Sequence, residues 1–196
     1  FQGDRKTEIQ TKISAIIKNG QPSDTLSKDD KLEIVLAETP FYAESGGQVG
    51  DKGEIFHNEF RILVYDTQSP MAGLNIAFGK VVSTTAPEIN IKTNRAVTAK
   101  VSLSRRREIE CNHTATHLLQ AALRAVLGDH VKQAGSLVND EKLRFDFSHY
   151  TPVSKEQLLD VENFVNQRVL ENIDVEVQEM SFDEAMKTGA MAIFGE

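Results

Sequence analysis

Hydrophobic positions in the first half of the chain fall into short alternations separated by turn residues. Leu32-Glu33-Ile34-Val35-Leu36, Phe60-Arg61-Ile62-Leu63-Val64-Tyr65 and Ile76-Ala77-Phe78-Gly79-Lys80-Val81-Val82 are such runs, bounded by Gly, Pro, Asn and Asp. This period-two pattern predicts strands of a compact barrel-like unit from Leu32 to about Val101. Ahead of it, Thr7–Lys18 carries Ile9, Ile13, Ile16 and Ile17. A helix would accept that spacing, but the β-branched content favours a strand.

Past Val101 the period lengthens. From Arg105 to Leu127 the residues Ile109, His113, Thr116, His117, Ala121, Leu123 and Leu127 recur at helical spacing, and Gly128 stands where a helix would stop. Val131–Val138 and Leu143–His149 flank Asn139-Asp140-Glu141-Lys142 and predict a β-hairpin. A second helix is expected over Ser154–Ile173. Ser154 and Gln157 form a capping box, and Leu158, Val161, Phe164, Val165 and Val169 form the apolar stripe. Asp174–Gln178 reads as a strand and Phe182–Lys187 as a short helix. The expected fold is therefore α+β: a β-barrel-like subdomain over residues 1–92, then an α+β core over residues 93–196. The boundary is placed within Ala86–Arg95, around Pro87.

Composition narrows the class. At 196 residues and 40% hydrophobic, the chain can bury one large or two small cores. It has no apolar run of the roughly 18–20 residues that cross a bilayer and no signal-peptide pattern at its start, so a soluble cytoplasmic protein with no membrane partner is expected. The single cysteine, Cys111, excludes an internal disulfide. A formal net charge of −7 argues against a generic nucleic-acid binder, so any RNA contact must be local. Phe1 in place of Met is expected of a segment of a longer polypeptide, and Phe1–Gly3 could also be the remnant of a cleaved tag.

Four features carry candidate chemistry. His113 and His117, one helical turn apart, present two imidazoles suited to zinc. The alternative is a hydrogen-bonded pair at the edge of the core. Thr114 follows His113 where a zinc-protease helix would need Glu, which disfavours a metalloprotease. His149 or Asp146 could supply a third ligand, which would make a small self-contained zinc hydrolase. Thr39–Gly53 is glycine-rich and contains Gln48 and Asp51; glycines let backbone amides approach a phosphate or ribose, though for the motif alone a tight turn between strands is the plainer reading. Gln133, Ser136 and Arg144 flank a strand glycine and could bind a polar substrate, the plainer reading being a bulge. Arg105, Arg106 and Arg107 with Lys100 form the one basic cluster, either a solvated helix start or a contact for an RNA end.

Five segments in order, Thr39–Asp51, Asn112–Leu119, Gln133–Val138, Leu143–His149 and Gly189–Glu196, resemble the editing region of bacterial-type alanyl-tRNA synthetases. The resemblance covers roughly residues 34–196. Freestanding alanyl-tRNA editing proteins and the editing domain of threonyl-tRNA synthetase share the histidine-pair helix. The resemblance implies a β-barrel followed by an α+β core that hydrolyses the ester of serine or glycine on tRNA(Ala), because an alanine pocket rejects neither strongly. It implies a zinc ion held by His113, His117 and a Cys-X-X-X-His segment beyond Glu196, so half the donor set lies within this chain and weak or absent activity is expected of it alone. It implies that Gln133 and the hydroxyl of Thr116 or Thr114 recognise serine, and that Ser45, Gly46, Gly47, Gln48 and Asp51 meet the substrate or terminal adenosine. The expected partners are the 3′ end of tRNA(Ala) and further domains of the synthetase in cis, where ATP and magnesium would act. A non-catalytic module that binds the tRNA 3′ end is the alternative.

Overall fold

The computed structural model describes residues 6–91, 94–174, 176 and 178–188. In chain order the elements are β1 (Glu8–Lys18), β2 (Gln21–Pro22), β3 (Thr25–Leu26), β4 (Lys31–Leu36), β5 (Gly53–His57), β6 (Phe60–Met71), β7 (Leu74–Thr84), β8 (Ile89–Asn90) and β9 (Ala96–Val101). There follow α1 (Leu103–Leu127), β10 (Gln133–Val138), β11 (Leu143–Phe147), α2 (Lys155–Glu171) and α3 (Phe182–Lys187).

Six strands close a barrel in the order β1-β4-β7-β6-β5-β9, every neighbouring pair antiparallel, with β9 returning to pair with β1. Closure leaves these strands no open edge. Alternate residues point inward, so Ile9, Ile13, Ile34, Ile55, Ile62, Val64, Val81, Val97 and Ala99 fill the interior. The register of β1 on β4 shifts between Ile13 and Ala15. That bulge restores Ile16 to the inner face after an odd step, which is why the isoleucine spacing also fitted a helix. β9 lies on the C-terminal side of the 92/93 division, yet its ladders run to β1 and β5. The chain passes from barrel to helix at Ser102, the N-cap of α1.

A second, smaller core forms where α1 and α2 pack over the hairpin. Ala122, Leu123, Val131 and Val161 are buried there, with Leu119, Phe145, Phe147, Phe164 and Val165 partly buried around them. α1 ends at Gly128, whose φ of 114° suits glycine. The expected capping box of α2 is present in both directions: the Gln157 amide donates to Ser154 Oγ at 3.2 Å, and the Ser154 amide donates to Gln157 Oε1 at 2.9 Å. Of the expected stripe on this helix, Leu158 and Val169 are exposed instead, because α2 rests against α1 through Val161, Phe164 and Val165. Of the strand expected over Asp174–Gln178, Asp174, Glu176 and Gln178 have no strand conformation, and Val175 and Val177 lie outside the described residues. The segment Gly189–Glu196 also lies outside them.

Candidate active site

One face of α1 carries Arg106, Ile109, His113 and Thr116, spaced three and four apart. Ile109 is buried and fixes this face inward. His113 is half-buried and His117 exposed, their ring centroids 4.9 Å apart. His113 Nδ1 lies 2.7 Å from Gln48 Oε1. An amide oxygen only accepts, so in this pairing a neutral His113 donates from Nδ1 and keeps its lone pair on Nε2.

Gln48 is held against α1 by its loop. Ser45 and Gln48 close a tight turn through two backbone hydrogen bonds, with Gly46 and Gly47 at φ 56° and 84° between them. A Cβ on Gly47 would stand 2.5 Å from the Ser136 carbonyl oxygen, so only glycine lets the loop lie flat on β10. Two backbone bonds join loop and strand there, Val49 N–H to Val138 O at 3.0 Å and Val138 N–H to Gly47 O at 2.8 Å. Ser136 Oγ donates to Gly46 O at 3.3 Å. The hairpin turn is tied to the helix in its turn, the Asn112 side-chain amide donating to Asn139 O at 2.8 Å.

The loop ends in a buried ion pair. Arg106 Nε donates to Asp51 Oδ1 at 3.0 Å, Nη2 reaches both Asp51 Oδ2 and the Pro40 carbonyl, and the two side chains are 9% and 3% exposed. Arg105 donates from Nη1 to Gly50 O at 2.9 Å, and its Nε stands 3.0 Å from Asp140 Oδ1, an ion pair without hydrogen-bond alignment.

A model of the family described as tRNA synthetases class II (A) matches residues 1–105. The chain is also 46% identical over all 196 residues to the alanine–tRNA ligase of Mesorhizobium japonicum, 47% identical to that of Staphylococcus epidermidis and 45% identical to that of Carboxydothermus hydrogenoformans. The chain belongs to the alanyl family of class II tRNA synthetases. It spans 22% of the length of each of these ligases.

Within this alanyl-synthetase segment, Gln48, His113 and His117 converge, with Gly46, Gly47 and Ser136 on the loop side. Other expected site residues are placed differently. Thr116 is buried and its hydroxyl donates to the Asn112 carbonyl one turn back, at 2.8 Å, while Thr114 is exposed. Arg144 is exposed and pairs with Asp146 at 3.1 Å. Gln133 is half-buried beside a register shift in the hairpin, so a bulge does occur at this glycine strand. Asp51 and Arg106 are buried in each other, Arg105 is engaged by Gly50 and Asp140, and Arg107 alone of the three arginines is exposed.

His149 and Asp146 do not supply the third ligand considered for a self-contained zinc hydrolase. His149 Nδ1 lies 2.8 Å from His130 Nε2, and His130 follows the C-terminal end of α1, whereas His117 stands ten residues before that end. Asp146 faces Arg144. Among the described residues no group of three or more His, Cys, Asp or Glu side chains could hold a metal. The His130–His149 pair, stacked with Tyr150, was not foreseen because its members are separated by the whole hairpin.

Proposed function

We propose that this segment forms part of an editing site that hydrolyses the ester linking serine or glycine to the 3′ end of tRNA(Ala). The observation that carries the reading is the Gln48–His113 contact, which brings a glycine loop against a histidine-pair helix in a chain similar throughout to alanine–tRNA ligases. The half-buried Gln48 amide fixes the imidazole of His113 in the form with its lone pair on Nε2. The loop offers backbone groups and, against Gly46, the Ser136 hydroxyl, suited to the ribose end of an aminoacyl-tRNA. Arg107 is the exposed cation at the start of the same helix for a nearby phosphate.

The donor chemistry fits zinc in part. His113 and His117 would hold it, and the Gln48 bond is the kind of outer contact that orients a metal-binding histidine. Two imidazoles fall short of the three protein ligands usual for catalytic zinc, so further donors from the longer polypeptide are part of the proposal. When bound, the ion would supply positive charge to polarise a water or hold the amino group of the substrate.

The test is deacylation of Ser-tRNA(Ala) and Ala-tRNA(Ala) by residues 1–196 and by a chain extended through the expected Cys-X-X-X-His. The extended chain should hydrolyse the seryl ester selectively and far faster. Equal rates would reject the missing donors, and tRNA binding without hydrolysis by either chain would favour a 3′-end binding module.

A further inference from the structure

Gln48 and Asp51 are three residues apart on the loop, and their partners on α1, His113 and Arg106, are seven apart on one helical face. Seven residues of helix rise about 10 Å, which three residues of extended chain can just span. The loop therefore runs along the helix in the opposite direction and is fastened to it at both ends. The two ends differ in strength. Gln48 holds His113 through one side chain with several rotatable bonds. Asp51 is locked on every side: its carboxylate takes the Arg106 fork and the Tyr42 amide at 2.7 Å, its own amide donates to Tyr42 O at 2.9 Å, and its carbonyl accepts the Thr67 hydroxyl at 3.0 Å. Gly50, between the two ends, packs so closely on the Thr67 backbone that a Cβ there would collide with it.

We propose that Arg106, acting through Asp51, is a positioning residue that sets the reach of Gln48 and thereby selects the tautomer of His113. This deepens the editing-site reading and rests on it for its meaning in hydrolysis. A buried fork-to-carboxylate pair suits this role because it fixes direction as well as distance. A lysine would keep the charge and lose the fork. The contacts of the loop with β10, backbone bonds from Gly47 and Val49 on either side of Gln48 and the Ser136 hydroxyl on Gly46 O, fix the backbone at Gln48 and leave the rotation of its side chain to the register of the loop along α1.

The experiment reads the imidazole nitrogens of His113 by ¹⁵N NMR, at a pH where the ring is neutral, in the wild-type chain and in Gln48→Ala, Asp51→Asn and Arg106→Lys. The wild type should show Nδ1 protonated. All three variants should lose roughly half or more of that form, while the amide spectrum of the barrel stays in place. Asp51→Asn and Arg106→Lys with His113 unchanged, alongside a shifted Gln48→Ala, would overturn the proposal, since a merely stabilising pair leaves the tautomer alone. Should either variant fail to fold, hydrogen exchange in the wild type decides. The Tyr42 and Val49 amides should open at a common rate, and Val49 exchanging more than about tenfold faster than Tyr42 would overturn it. Neither readout involves tRNA or metal, so absent deacylation with an intact tautomer dependence rejects the editing reading and leaves the positioning role standing.

Discussion

Gly47 shows how much of the site depends on the absence of a side chain. Its φ of 84° and the 2.5 Å approach of a would-be Cβ to Ser136 act together. Gly47→Ala should cost roughly 1–3 kcal/mol in denaturant unfolding and weaken the Gln48–His113 contact; a variant as stable as wild type, with that contact intact, would contradict the packing described. A different residue controls the pH response at the end of the barrel. Burial first, and the neighbouring Arg95 guanidinium second, hold the His57 pKa below its ordinary 6.5. The folded protein thus resists a proton that the unfolded chain accepts. The contribution of His57 to stability is full above pH 6.5 and is lost as pH falls through the lower folded value. The NMR titration midpoint of His57 should lie below 6.5, and Arg95→Gln should raise it by removing the cation and freeing Glu59, which now pairs with Arg95. An unmoved midpoint would exclude Arg95 as a cause.

Local signals were legible at the level of elements because each depends on neighbours in sequence. The capping box at Ser154, the stop at Gly128 and the alternation of β4, β6 and β7 all appear where their residues required them. Ser154→Ala should therefore cost about 1 kcal/mol in unfolding free energy; no measurable loss would show that the box is idle. The isoleucines of β1 obscured their period because a bulge changes phase within the strand. Contacts that assemble the site were not legible. Gln48 and His113 are 65 positions apart, and Asp51 and Arg106 are 55 apart. The run Arg105-Arg106-Arg107 reads as one basic patch, but successive helix positions turn about 100°, so one arginine is buried, one is bonded to the loop and one reaches solvent. Loop glycines announced a close approach without saying to what.

For the molecule as a whole, the closed barrel serves as a rigid frame that delivers one loop to one helix. The proposed RNA-end site is compatible with a net charge of −7, because it depends on amide, imidazole and backbone groups rather than on a basic surface. Among the described residues no helix is long and apolar enough to cross a membrane. The central claim is that Gln48 and the histidine pair form the working part of an editing site. Its most direct test is the rate of Ser-tRNA(Ala) deacylation by the extended polypeptide, compared with its Gln48→Ala and His113→Ala variants under matched zinc. Gln48→Ala should lower the rate by about 10–100-fold, as expected for loss of an outer contact to a metal-binding histidine. His113→Ala should lower it at least as much, with the barrel intact in both; hydrolysis at the wild-type rate in either variant would contradict the claim.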